Sequence, residues 1–245
     1  MTTSDLWDEE TAARYDAACA ADFSPEDIDA TVNVLAGLAG SGRALEFAIG
    51  TGRIGIPLAR RGVSVAGIEL SEPMAAQLRR NDPDGLIPVT IGDMASTRVD
   101  GGFSLVYLIY NTLGNLRTQA EQVACFRNAA WHLAPGGRFL IELWVPPIRR
   151  MPPGQRAVPF DVSERHLGMD TYDLVTQQGT SHHYTHGPDG SIRYGTTNFR
   201  YVWPAECDLM AQLAGVEFES RVADWSGAQF TDDSTSHISV WRRPT

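Results

Sequence analysis

The chain has 245 residues, 43% of them apolar, enough for one sizeable core and a single domain. Its formal charge is −10, and it contains no lysine, so Schiff-base chemistry, pyridoxal-lysine enzymes and the P-loop lysine are excluded. The acidic balance argues against nucleic acid as a partner, although Arg149 and Arg150 could meet a phosphate locally. Cys19, Cys125 and Cys207 are odd in number and widely spaced, which predicts buried free thiols in a reducing compartment. No apolar run approaches the roughly 18 residues of a membrane span, and the start "MTTSDLWDEETAARYD" lacks the basic and apolar regions of a signal peptide. The expectation is a cytoplasmic protein without a membrane partner, and a homodimer is left open.

In chain order, Asp5 to Leu38 reads as one or two helices that could fold back over the edge of the sheet that follows. "RALEFAI" is a strand, "RIGIPLARRG" a helix closed by glycine, "VSVAGIEL" a strand, and "SEPMAAQLRR" a helix with Ser71 as N-cap and Pro73 in its first turn. "LIPVTIGD" and "FSLVYLIYN" read as buried strands, and "TQAEQVACFRNAAWHL" as a helix opened by a Thr118/Glu121 capping box. "GRFLIELWV" is a further strand, entered through the turn "APGG". This rhythm predicts a parallel sheet covered on both faces.

The character changes between Pro146 and Pro204. The proline-rich "PPIRRMPPGQRAVPF" cannot be helical, and "TYDLVTQQGTSHHYTH" and "SIRYGTTNFRYVW" flank "GPDG" as a hairpin. The segment reads as an antiparallel insertion over the carboxyl edge of the parallel sheet, where such sheets bind ligands. "AECDLMAQLAG" is helical, and "VEFESRVADW" and "HISVWRR" are strands joined by a loop too short for a parallel crossover, so the last strand runs antiparallel.

Gly50, Gly52 and Gly55 have the G-x-G-x-x-G spacing of a dinucleotide-binding turn, which any sharp strand-to-helix turn at a cofactor shares. The flanks discriminate. Glu46 stands inside an otherwise apolar strand, where an unpaired carboxylate is costly and a cationic ligand would supply a partner. "LEFAIGTGRIGIPLA", "GIELS", "GDM", "YNTLGNL" and "LAPGGRFLIE", in that order, resemble the motifs of class I S-adenosylmethionine-dependent methyltransferases, over roughly Ala44 to Trp144 plus the terminal strand pair.

The resemblance implies a seven-stranded Rossmann-like sheet with its last strand antiparallel and an antiparallel β insertion capping the active site. It divides the chain into a helical lid (1–43), a cofactor core (44–145), a substrate cap (146–204) and a final helix with a terminal strand pair (205–245). It also implies S-adenosylmethionine as cofactor and a small-molecule methyl acceptor of natural-product or amino-sugar type. Glu46 would hold the methionine ammonium, and the turn at Ala48, Gly50 and Gly52 would let backbone approach the cofactor, although the family usually has glycine where Ala48 stands. Glu69 would accept both ribose hydroxyls, with Leu70 beside it; Asp93 would accept from the adenine amino group, and Met94 would pack on its ring. Tyr15 would close over the methionine end, and Tyr110 ends the fourth strand beside the cofactor.

Blander roles compete with these. Glu69 also fits an NAD-binding acid, Asp93 a helix cap, Gly55 close helix-to-strand packing, and Tyr15 an aromatic anchor. An amine acceptor presents its own lone pair, whereas a hydroxyl gains from a base. His182 and His183 alternate across a strand, so only one can enter a pocket, with His183 favoured and His237 in reserve. His182 and His186 share a strand face, but no further ligand completes a metal set. Asn111, Trp144, Tyr172, Tyr201 and Trp203 are the candidate acceptor-binding residues. The rival readings are an NAD-dependent oxidoreductase, a protein using S-adenosylmethionine without methylating, and a protein-binding module.

Overall fold

The computed structural model describes residues 5, 7–19, 24–187 and 189–245, with backbone only for 17–19. The side chain of Cys19 and Pro188 of "GPDG" therefore lie outside the described residues. Two helices, α1 (Glu9–Cys19) and α2 (Pro25–Ala39), precede a run in which β1 (Arg43–Phe47), α3 (Gly55–Arg60), β2 (Ser64–Glu69), α4 (Glu72–Asn81), β3 (Val89–Ile91), β4 (Phe103–Leu108), α5 (Gln119–His132) and β5 (Leu133–Trp144) alternate. After the insertion come α6 (Pro204–Ala214), β10 (Glu217–Val222) and β11 (Ser236–Arg242). The seven-stranded sheet has the order β10-β11-β5-β4-β1-β2-β3, with β11 antiparallel to both neighbours.

Two apolar layers hold this sheet. On one face Phe126 of α5 packs edge-on to Phe139 of β5 at 5.1 Å and against Trp241 of β11 at 5.3 Å. On the other, Val32 and Leu35 of α2 and Leu58 of α3 join Leu105, Tyr107 and Leu140 in a second cluster. Strands covered on both sides must be apolar throughout, which is why β1, β2 and β4 read so plainly. The predicted caps form: Ser71 accepts from the Met74 N–H, and the Thr118/Glu121 box closes in both directions. Cys125 and Cys207 are buried free thiols, and burial raises the pKa of both.

Four expectations are corrected. The strand β3 is short and carries exposed Thr90 and Ile91, because it is the sheet's edge. "APGG" is absorbed into β5 as an irregular first stretch, with Gly136 at φ +75° and a register shift opposite Phe103 and Leu105. Of the segment read as a lid, α2 is a core helix, since Val32 and Leu35 are fully buried. The insertion has four strands, β6 (Ala157–Val162), β7 (His166–Asp173), β8 (Gln178–His186) and β9 (Ile192–Arg200), in an antiparallel sheet of that order. "TYDLVTQQGTSHHYTH" is thus two strands broken at Leu174–Gln177, where Gln177 adopts φ +58° without the glycine that would have flagged the turn. No described helix is long and apolar enough to cross a membrane.

Candidate active site at the carboxyl edge

The carboxyl ends of β1, β2, β3 and β4 border an open cleft. Seven predicted residues line it: Tyr15, Ala48, Gly50, Glu69, Leu70, Asp93 and Met94. Glu69, at the end of β2, accepts the Gly50 N–H through Oε2 and the Ser71 N–H through Oε1, both at 2.8 Å. A carboxylate has about four lone-pair sites, so these bonds do not saturate it and it can still accept from a ligand hydroxyl. Burial raises the pKa of this carboxyl against the backbone N–H groups of Ser71, Gly50 and Leu70, and ligand donors would offset the cost. Gly50 is left-handed at φ +60°, and Ala48 adopts φ +51° despite its Cβ, an expense of roughly 1–2 kcal/mol that fixes the turn at the cleft.

Asp93 lines the cleft and caps the chain that follows it. Its Oδ1 accepts from the Ala95 N–H at 2.8 Å, capping a turn rather than a helix, while the residue faces the cleft. Met94 is buried and with Leu70 supplies an apolar wall. The acceptors and apolar surfaces thus fit a nucleoside with a free diol: carboxylate oxygens at Glu69 and Asp93, side-chain bulk kept back at Gly50.

Three predicted cofactor residues do not line the cleft. Glu46 is buried beneath it and accepts the Tyr107 hydroxyl at 2.8 Å, so its partner comes from the core as well as from any ligand. Burial pushes its carboxyl up to about 8, against that hydroxyl and the nearby Arg53. Gly52, at φ +83°, is pressed by Ile56, whose Cδ1 would lie 2.7 Å from an added Cβ. Tyr110 is also left-handed, its ring 5.2 Å from the Arg53 guanidinium and edge-on to Trp144 at 6.0 Å. Gly55 takes the packing role, since a Cβ there would stand 2.8 Å from Glu46 Oε2.

Reading the sequence missed Asp5, Trp7, Met74, Gly92, Thr112 and Asn115 as cleft residues. Trp7 stands edge-on to Tyr15 at 5.5 Å, and its carbonyl accepts the Ser71 hydroxyl at 2.6 Å. Asp16 anchors α1 from below: its carboxylate accepts from Thr51 Oγ1 at 2.5 Å and Asn81 Nδ2 at 2.9 Å. The segment before α2 is thereby fastened to the loop after β1 and to α4. Of this N-terminal segment only Tyr15 had a signal in the sequence, whereas Gly92, Thr112 and Asn115 fell inside the motifs "GDM" and "YNTLGNL" without being singled out.

The histidines lie elsewhere. His183 Nδ1 meets His166 Nε2 at 3.0 Å, and His166 Nδ1 meets Asp161 Oδ2 at 2.6 Å. Asp161 as acceptor fixes the proton of neutral His166 on Nδ1, so His183 donates through Nδ1 and keeps a lone pair on Nε2. Burial, with His166 next, lowers the His183 pKa. His182 points to the opposite face, onto Thr171 at 3.0 Å and Tyr194 at 2.7 Å. His237 is no reserve base at the cleft: it is fully buried in β11 against Ser239, and burial, with Arg221 next, lowers it to about 4.

The acceptor-binding candidates separate into two groups, none lining the cleft. Asn111 and Trp144 meet at the ends of β4 and β5, with the Trp144 N–H donating to Asn111 Oδ1 at 3.2 Å. Tyr172, Tyr201 and Trp203 form an aromatic chain, 5.8 Å then 6.4 Å between rings, at the junction of the second sheet with α6.

Comparison with known proteins follows the same architecture. Residues 44–137 match a methyltransferase domain family. Over 206 residues the chain is 27% identical to the cypemycin N-terminal methyltransferase of a Streptomyces species, covering 81% of this chain and 82% of that one. It is 35% identical to the dTDP-3-amino-3,4,6-trideoxy-alpha-D-glucopyranose N,N-dimethyltransferase of Streptomyces venezuelae over 100 residues, 41% of each chain. Among solved structures, the CcbJ methyltransferase of Streptomyces caelestis superimposes with a TM-score of 0.84 at 32% identity, over 98% of this chain and 100% of that one.

Proposed function

The chain belongs to the S-adenosylmethionine-dependent methyltransferases, and on that premise we propose that it methylates an amine nitrogen of a small molecule. The observation that carries this reading is the likeness to CcbJ across both chains, insertion included, so that relatedness extends beyond the cofactor core. Curated relatives named as N-methyltransferases favour nitrogen over oxygen.

S-adenosylmethionine supplies an electrophilic methyl whose leaving group is a neutral thioether, so orientation and exclusion of water provide most of the rate. In this reading Glu69 binds the ribose diol, Asp93 the adenine amino group, and Leu70 and Met94 enclose the ring. Glu46 and Arg53 set the charge under the methionine end. Tyr15 and Trp7 close the cleft from α1 and the segment before it. The insertion takes the acceptor, with Asn111 and Trp144 at its floor. The division into lid, core, cap and terminal pair is retained with the lid shortened to the segment before α2, and the cytoplasm is its proposed location.

A second reading, transfer to a hydroxyl, is favoured by one observation: the Asp161–His166–His183 chain, which leaves an unprotonated nitrogen able to take the hydroxyl proton. The test is methyl transfer from labelled S-adenosylmethionine to amino-sugar nucleotides and to their hydroxyl counterparts. Labelled amine product supports the proposal, product from the hydroxyl series alone replaces it with the second reading, and failure to bind S-adenosylhomocysteine overturns both.

A further inference from the structure

We propose that Glu142 is a positioning residue for the cleft: its carboxylate holds the left-handed Tyr110–Asn111 turn and ties it to Trp225 on the β10–β11 loop. The inference rests on the cofactor reading of the cleft only for its functional consequence.

Glu142 is a charged residue in β5 between buried Ile141 and Leu143. Its Oε2 accepts the Tyr110 N–H at 2.9 Å and its Oε1 accepts the Trp225 indole N–H at 2.7 Å. Its main-chain carbonyl accepts the Asn111 N–H at 3.1 Å. One residue therefore holds two consecutive peptide N–H groups of the turn, and Asn111 Oδ1 returns a bond to the Trp144 N–H at 3.2 Å.

Tyr110 and Asn111 need such a hold. Their φ values of +56° and +58° are disfavoured for residues with a Cβ, and two in succession persist only where surrounding bonds over-determine them. The turn then delivers Thr112 and Asn115 to the cleft wall. It also sets the Tyr110 ring between Arg53 at 5.2 Å and Trp144 at 6.0 Å, at the edge where the acceptor must approach.

A carboxylate suits this place because both groups facing it are donors. Glutamine offers one oxygen and sets an NH₂ against the other donor, so Glu142→Gln breaks one arm of the clamp while keeping its size. Trp225 does not line the cleft, which makes it a reporter outside it, and Glu142 is its direct hydrogen-bonded link to the turn.

The experiment reads the Trp225 indole N–H by nitrogen-15 NMR on the ligand-free protein, then S-adenosylhomocysteine affinity by calorimetry. Asn111→Ala, which disfavours the left-handed turn, is expected to move the Trp225 indole resonance, and Glu142→Gln to abolish that response. Glu142→Gln is expected to weaken S-adenosylhomocysteine about threefold to tenfold, the range of one lost hydrogen bond, with Asn111→Gly as a second change restoring most of it. Should Glu142→Gln fail to fold, Trp225→Phe removes the other arm and carries the same expectation. An indole resonance indifferent to Asn111→Ala overturns the coupling, and unchanged affinity in both clamp variants overturns the functional role. If the wild-type protein does not bind S-adenosylhomocysteine, the cofactor reading has failed, and the indole resonance still decides the clamp.

Discussion

Glu46 is the residue whose chemistry changes most between sequence and structure. Burial pushes its carboxyl up to about 8, so at neutral pH it is largely protonated beside the Tyr107 hydroxyl, with Arg53 and Glu69 as its charged neighbours. A ligand ammonium brought near would favour the carboxylate, so binding should expel a proton. S-adenosylhomocysteine affinity is then expected to rise as pH increases toward about 8, a slope absent in Glu46→Gln; calorimetry in buffers of different ionisation enthalpy counts the proton, and equal slopes would remove Glu46 from the site. The same shift acts on folding. A carboxyl raised in the folded state contributes its stability below its ordinary 4.5 and loses it as pH rises through about 8. Glu46→Gln should therefore gain melting temperature over the wild type at the alkaline end and not at the acidic end. Among the histidines, only His183→Ala should lower kcat by about 10² to 10⁴ if a hydroxyl is the acceptor, and neither His183→Ala nor His182→Ala should do so for a neutral amine. A pH-rate profile of both variants on the labelled acceptor decides.

At the scale of elements, the turns after the parallel strands carry the strain: Ala48 after β1, Tyr110 and Asn111 after β4. Two glycines show how differently helices use this residue. At Gly55 an added Cβ would stand 2.8 Å from Glu46 Oε2 and 2.9 Å from Ile49 Cδ1, whereas at Gly37, inside α2, it would meet nothing within 4 Å. Gly55→Ala is expected to destabilise by about 1–3 kcal/mol through overpacking, and Gly37→Ala to stabilise by about 0.5–1 kcal/mol through helix propensity. Chemical denaturation measures both, and a neutral Gly55→Ala would show that α3 can slide off β1. These elements also mark what was legible. Strands such as "FSLVYL" declare themselves because burial on both faces forces a continuous apolar run. Glu69 and Asp93 were legible as cleft residues because both stand at or just past the carboxyl ends of parallel strands. The break at Gln177 was not, because a left-handed glutamine carries no turn signature. Trp7 was not either, since its role comes from Ser71, far along the chain. Thr112 and Glu142 stand inside the motifs "YNTLGNL" and "LAPGGRFLIE", but those motifs do not specify their partners, the cleft and Trp225.

Taken as a whole molecule, the four-stranded sheet is not a detachable cap. Arg200, at its root, is 5% exposed and donates to Gln122 of α5 at 2.6 Å, Gln177 at 3.0 Å and Glu206 of α6 at 2.7 Å. Gln122, itself fully buried, donates in turn to the carbonyls of Leu113, Leu116 and Arg200. Asn198 reaches Asp5 on the cleft wall at 3.0 Å through its backbone N–H. Removing all of 146–204 would leave Gln122 and Glu206 without these partners, a loss of about 1–3 kcal/mol per stranded buried group. Binding lost in that deletion would report on folding. A cut across 157–196 retains Asn198 and Arg200, with the bonds of Arg200 to Gln122 and Glu206, and gives up only those that Gln177 makes. The ends then lie on strands three spacings apart, about 14 Å, which about eight glycine and serine residues can bridge. The shortened protein is expected to hold S-adenosylhomocysteine within about tenfold of the full chain and to transfer no methyl to the amine that the full chain uses. Arg200→Ala should behave in the opposite way, lowering melting temperature with the insertion still present. Turnover surviving the cut would place acceptor binding in the core, and collapse of cofactor affinity in a protein that still melts cooperatively would make the second sheet part of the cofactor site.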